Sequence, residues 1–180
     1  AYRGDTIAEL LQYVGGCERV FAFEPDQKTH QKLCAAVEQM GLSDRATCVQ
    51  MAAYSHEEVL EFDSRAGRQS ALKEESLLTG VQGAAKSKLK QVQAQSLDNI
   101  AGEEAVTLIN MDVEGAERQA LEGCRKIIQR DRPKMLIAAY HRSEDLFALP
   151  LQIASMRSDY RFYLRHYQYI PAWDTNLYCI

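Results

Sequence analysis

Apolar residues three and four apart open the chain: Ile7, Leu10, Leu11 and Val14 share one helical face. Thr6-Ile7-Ala8-Glu9 fits a capping box at the start of that helix, and Gly15-Gly16 supplies the stop. The period then shortens. Arg19 to Phe23 and Ala46 to Met51 read as strands, and between them Leu33, Val37 and Met40 form the apolar face of a second helix that Gly41 ends. Glu58 to Phe62 alternates weakly, as a short strand or hairpin arm does, and Leu89 to Ala94 reads as another strand. Ser96 to Ile100 is a capped turn.

The stretch from Val106 to Glu117, V-T-L-I-N-M-D-V-E-G-A-E, dominates the pattern. Its apolar run predicts a strand buried on both faces that ends abruptly in acid, at Asp112 and Glu114, with Gly115 for the turn. Glu117 opens a helical pattern carrying Leu121, Cys124, Ile127 and Ile128, which Arg132-Pro133 ends. Met135 to Tyr140 is a second doubly buried strand, running into His141-Arg142-Ser143. Pro150 suits the first turn of a helix ending near Met156. Tyr160 to Tyr167 and Thr175 to Ile180 alternate with no helix between them, which predicts antiparallel neighbours.

This alternation predicts a single α/β domain over 1–180, a Rossmann-like doubly wound, mostly parallel sheet with an antiparallel last strand. Its first, central strand is missing from the sequence, because only Ala1 to Asp5 precedes the first helix; upstream residues are expected to supply it. Residues 63–88 are rich in Ser, Gly, Lys, Gln and Ala without periodicity, and read as a long loop or lid with a helical turn near Leu72 to Leu78. Arg65, Arg68, Lys73, Lys86, Lys88 and Lys90 make it basic, as solvated loops often are.

Composition narrows the function little. The 180 residues are 46% hydrophobic and 26% charged, enough for one packed core. A net charge of −4 gives no support for a nucleic-acid or anionic-membrane surface, and no apolar run approaches the ~20 residues of a membrane span. Five scattered cysteines, with no C-x-x-C or Cys/His metal spacing, point to free thiols and a cytoplasmic setting.

Ligands of open α/β sheets bind beyond the carboxyl ends of the strands, where Glu24, Asp112, Glu114 and His141 fall. Glu24 lies 20 positions after Gly4 and closes the second expected strand. A carboxylate there accepts bonds from two vicinal ribose hydroxyls, or serves as an N-terminal helix acid. Asp112 and Glu114 alone are too few oxygens for a hard cation, so no required metal is expected. His141 is a candidate general base or substrate contact, on the ground that histidine titrates near neutral pH, and equally a loop-capping residue. His166 is a second candidate whose strand position would bury it. Tyr140 and Tyr167 would line a site with an apolar body and a polar tip. Arg142 and Arg165 suit an anionic group or solvent.

Five segments together resemble the FkbM-type methyltransferases: F-A-F-E-P-D at 21–26, S-L-D-N-I at 96–100, I-N-M-D-V-E-G-A-E at 109–117, A-A-Y-H-R-S-E-D-L at 138–146 and D-Y-R-F-Y-L-R-H-Y at 159–167. The opening A-Y-R-G-D-T is similar to the tail of that family's first motif, without its D-x-G. The resemblance implies the seven-stranded S-adenosylmethionine-dependent fold and O-methylation of a hydroxyl on a small molecule, sugar or polyketide-like acceptor. It implies that Gly4 and its neighbours, Ala1 included, lie against the methionine part of the cofactor. Glu24 would hold the ribose, Met51 and Ala52 would border adenine, and Asp112 and Glu114 would sit near the methyl group. His141 and Asp112 would then be catalytic, with Tyr140, His141, His166 and Tyr167 toward the substrate. An NAD-dependent oxidoreductase would share Glu24 but needs a G-x-G-x-x-G turn that is not visible, and a non-catalytic nucleotide-binding or scaffold domain would bind neither cofactor.

Overall fold

The computed structural model describes residues 1–63, 89–167 and 175–180. In chain order the elements are α1 (Asp5–Val14), β1 (Val20–Phe23), α2 (Gln27–Gln39), β2 (Ala46–Val49), β3 (Ala52–Ala53), β4 (Glu58–Asp63), β5 (Leu89–Gln95), α3 (Leu97–Ala101), β6 (Leu108–Met111), α4 (Glu117–Glu122), α5 (Arg125–Asp131), β7 (Lys134–Ala138), α6 (Asp145–Met156), β8 (Phe162–His166) and β9 (Thr175–Cys179). The loop expected over 63–88 begins at the last residue of β4; 64–88, with its basic residues other than Lys90, lies outside the described residues. Lys90 itself pairs with Asp26 at 3.3 Å.

The architecture is mixed α/β. Among the described residues the strands form three sheets instead of one: parallel β1–β2, then β3–β5–β4, then β6–β7–β9–β8. β6 and β7 run parallel, while β9 is antiparallel to both β7 and β8, as the uninterrupted alternation of the last two segments required. The expected single sheet divides because β1 pairs only with β2 and β6 only with β7 among the described strands. The strand expected over 46–51 ends two residues early. β2 stops at Val49, and Ala52–Ala53 pairs with Ala94–Gln95 of β5 instead.

The larger core lies between β6–β7–β9 and helices α4, α5 and α6; it includes Leu121, Ile127, Ile128, Ile137, Leu149, Ile153 and Leu177. Each is at most 1% exposed, and fully burying a side chain of this size contributes about 1.5–3 kcal/mol. A smaller cluster of Ile7, Ala22, Leu33, Val37 and Leu42 packs α1 and α2 on β1. Phe21 of β1 packs against the larger core, and Arg19 pairs with Glu104 at 3.4 Å, so the two clusters are joined along β1.

Several local expectations change. Helix α1 starts at Asp5 with Gly4 in the left-handed region at its cap (φ 84°) and no side-chain cap, so the Thr6–Glu9 box is not used. Gly4 serves packing: a Cβ there would come within 3.2 Å of Ala36 Cβ and 3.5 Å of Leu33. The helix expected from Glu117 to residue 130 is two, because Cys124 leaves helical geometry and Asp98 takes the next free amides. Its carboxylate accepts from Lys126 N and Ile127 N, both at 3.0 Å, capping α5 from across the fold. Pro150 lies inside α6 instead of in its first turn. β6 is buried on one face only, with Leu108 41% exposed and Asn110 outward, since no layer covers its other side among the described residues. All five cysteines are free thiols.

Candidate active site

The turn after β6 is built to bend sharply. Glu114 and Gly115 both have positive φ, 55° and 99°, and a non-glycine residue held there stores about 1–3 kcal/mol of strain. The bend brings the Glu114 carboxylate within 3.4 Å of His141 Nε2, and Asp112 Oδ1 lies 3.5 Å from the same nitrogen. On the other side of the ring, Nδ1 is 2.9 Å from Glu117 Oε1. That oxygen also accepts from Val113 N at 3.0 Å, so one buried carboxylate fixes both the end of β6 and the imidazole beyond β7.

The residues around His141 complete the clamp. The Tyr140 hydroxyl donates to Asp112 Oδ2 at 3.1 Å, and its ring stacks obliquely on the imidazole with centroids 4.2 Å apart. Arg142 Nε donates to Gly115 O at 3.1 Å. Tyr140, His141 and Arg142, just beyond β7, therefore all hold the D-V-E-G turn after β6.

Electrostatics change the role of His141. Burial alone lowers its pKa, but hydrogen bonds to Glu114 and Glu117, with the charges of Glu117 and Asp112, outweigh burial and raise it to about 10. The expectation that His141 titrates near neutrality does not hold, and an imidazolium at neutral pH has no lone pair with which to act as a base. Loss of solvent raises the Asp112 carboxyl, against the attraction of His141. Asp112 nonetheless keeps 55% of its side chain exposed and faces the open side.

Behind the site, Asp145 is 1% exposed with neither carboxylate oxygen hydrogen-bonded. Burial and then the charge of Glu117 raise its pKa to about 6. Since 3.8 is its ordinary value, only the folded chain holds this proton between the two pKa values. The stability it contributes is complete below about pH 4 and lost as pH rises through about 6, a change of about 3 kcal/mol. Asp145→Asn is therefore expected to raise the melting temperature near pH 8 and to leave it nearly unchanged near pH 4. Thermal unfolding of both proteins across that range checks it; an equal offset at both ends would refute the charge argument.

The β1 side meets the same region. Glu24, 9% exposed, accepts from Tyr2 N at 3.0 Å and Asp26 N at 3.1 Å, and burial raises its carboxyl. Ala1 N donates to Phe23 O at 2.8 Å. Ala1 and Glu24 thus lie together just beyond the end of β1. Met51 and Ala52, half-buried, leave β2 just beyond Val49, whose carbonyl accepts from Glu24 N at 3.0 Å. Gly4 is turned to α2 instead. His166 and Tyr167 are not brought to the cluster: strand register sets His166 two strands away from β7 at the same sheet end, exposed, with Nδ1 2.9 Å from Thr175 Oγ1. The Tyr167 hydroxyl pairs with that of Tyr178 at 2.7 Å. Arg165 lies over the Tyr167 ring at 4.8 Å.

The sequence profile of the methyltransferase FkbM domain matches residues 1–171. The chain belongs to the FkbM methyltransferase family. The FkbM domain therefore takes in both halves of the site, from Ala1 and Glu24 to His141 and Tyr167. The crystal structure of methyltransferase FkbM from Methylobacillus flagellatus KT superposes with a TM-score of 0.77 at 30% identity, over 100% of this chain. This chain spans 41% of the length of that one. A candidate rRNA-methylase from Clostridium thermocellum superposes with a TM-score of 0.48 at 14% identity, over 99% of this chain and 80% of that one. No curated protein matches this FkbM chain in sequence. Among its described residues, no helix is long and apolar enough to cross a membrane.

Glu117 and Asp145 were missed by the sequence reading. For Glu117 the signal was present: it occupies the same helical face as Leu121, Cys124 and Ile128, where a charge is expected only with a partner. Asp145 carried no such mark, because a first-turn acid is ordinary in an exposed helix.

Proposed function

We propose that this FkbM domain is an S-adenosylmethionine-dependent methyltransferase of Rossmann-like type that methylates a hydroxyl on a small-molecule, sugar or polyketide-like acceptor. The observation that carries the reading is the convergence of Asp112, Glu114 and His141 beyond the ends of β6 and β7, with Glu24 just beyond the end of β1. The donor set suits the cofactor. Glu24 keeps lone pairs beyond its two backbone contacts for ribose hydroxyls, and the surplus carboxylates face a positively charged ligand.

When bound, the cofactor supplies an already activated methyl group, so the protein's task is alignment and exclusion of water. Glu117 locks the His141 ring, and His141 as imidazolium holds Asp112 and Glu114 toward the open side. Asp112 would take the acceptor's hydroxyl proton as that oxygen accepts the methyl group the cofactor supplies. Tyr140 holds the other oxygen of Asp112 during that transfer.

Titration calorimetry of S-adenosylhomocysteine into the full chain tests the reading. Binding is expected, and Glu24→Ala is expected to weaken it about 10- to 100-fold, or about 1.4–2.7 kcal/mol. Unchanged affinity in that variant would remove Glu24 from the site. Binding of NAD in place of S-adenosylhomocysteine would turn the assignment to an oxidoreductase, and binding of neither to a folded chain would indicate a scaffold domain.

A further inference from the structure

We infer that Asp112 Oδ1, Glu114 Oε2 and His141 Nε2 form a site for one divalent transition-metal ion of the Mn²⁺ class, open toward the acceptor, in which the ion takes the place of the proton that Nε2 carries in the metal-free protein. The inference deepens the reading above, since it concerns the same site and narrows the acceptor. The three ligand atoms all lie within 4.8 Å of one another, with Nε2 3.5 Å and 3.4 Å from the two oxygens. A metal about 2.1 Å from each ligand spaces neighbouring ligands about 3.0–3.4 Å apart. Two edges of the site already match, and the half-exposed Asp112 closes the third by a side-chain rotation.

The surroundings are those of a metal-bound histidine. Nδ1 is committed to Glu117 Oε1 at 2.9 Å, which turns Nε2 toward the two carboxylates. Glu117 provides the independent observation: it is 0% exposed, aimed at the imidazole, and its Oε2 has no hydrogen-bond partner. A wholly buried carboxylate of that kind needs positive charge nearby. Four carboxylates, Asp112, Glu114, Glu117 and Asp145, crowd around His141, and the Arg142 guanidinium acts on Asp145 among them. One imidazole with two carboxylates favours a first-row transition ion over Mg²⁺ or Ca²⁺, which prefer oxygen throughout. The sequence expectation of no required metal rested on Asp112 and Glu114 alone; the fold adds His141 to them and Glu117 behind it.

Three protein ligands leave coordination positions free on the exposed Asp112 side. An acceptor with two adjacent oxygens, such as a vicinal diol, fills two of them and is thereby held in one orientation.

Electron paramagnetic resonance of free Mn²⁺, titrated against the full chain without cofactor, tests the site. The expected result is loss of one Mn²⁺ per chain from the free signal at micromolar concentration. Glu114→Gln, which removes a ligand, and Glu117→Gln, which keeps an acceptor for Val113 N but loses the charge behind His141, are each expected to weaken binding about 10- to 100-fold. Circular dichroism checks that both variants fold. No bound Mn²⁺ at millimolar concentration, or unchanged binding in Glu114→Gln, would overturn the site; equal affinity for Mg²⁺ would overturn the metal class. Calorimetry with S-adenosylhomocysteine on the same preparation separates the two readings. Cofactor binding without Mn²⁺ binding defeats only the metal, and Mn²⁺ binding without cofactor binding defeats the methyltransferase assignment.

Discussion

Asp112→Ala is expected to lower methyl transfer by about 10³-fold while the chain stays folded. Asp112 is the exposed member of the cluster, so truncation empties no core volume and leaves no buried group stranded. Its two oxygens nonetheless hold the site's geometry, one beside His141 Nε2 and the other accepting from Tyr140. The variant is expected to melt within a few degrees of the wild type, since surface substitutions usually change stability by no more than about 0.5 kcal/mol. The loss should therefore fall on kcat, measured as S-adenosylhomocysteine released in the presence of acceptor, with cofactor affinity reduced far less. Full turnover in Asp112→Ala would remove this residue from the chemistry.

The second large effect concerns stability alone. Gly123→Ala is expected to destabilise the fold by about 3–5 kcal/mol, the range reserved for forced backbone movement or core disruption. Gly123 has ordinary negative φ, so its conformation alone does not require glycine. Space does: a Cβ there would drive into the carbonyl oxygen of Tyr54, with Ser96 Cβ only 3.0 Å away. Neither neighbour can give way cheaply. The Tyr54 amide is bonded to Gln95 O, the Asp98 amide to Gly123 O, and Ser96 caps α3. The substitution would pry the β3–β5 layer from α4 and α5. Urea unfolding checks it; a cost under about 1 kcal/mol would mean that the layers slide freely.

Much of the fold was legible because hydrophobic period reports burial. The i, i+3, i+4 face of α1, the antiparallel pairing of the last two strands and the Ser96 cap all follow from local chemistry, although the alternation over Phe162–His166 corresponds to no alternating burial. What failed was decided by distant partners. Nothing near Lys126 announces that Asp98 caps it, so two short helices read as one long one. The apolar run before Asp112 looked doubly buried, but burial of its second face depends on which strands flank it. In the site, Asp112, Glu114 and His141 were legible as strand-end polar residues. The charge on His141 was not, because it depends on three carboxylates of the segment 112–117 converging on a residue 24 positions or more away.

The shared oxygen of Glu117 has a wider consequence. It joins Val113 at the end of β6 to His141 beyond β7 and sits in the first turn of α4. Fraying of that helix and dismantling of the site are consequently one event. Any molecule that needs the assembled site must oppose that opening, by about 2.7 kcal/mol at a hundredfold excess over its dissociation constant. Slowed deuterium uptake in α4 thus turns a short helix into a gauge of occupancy, able to rank candidate acceptors before any methylated product has been seen.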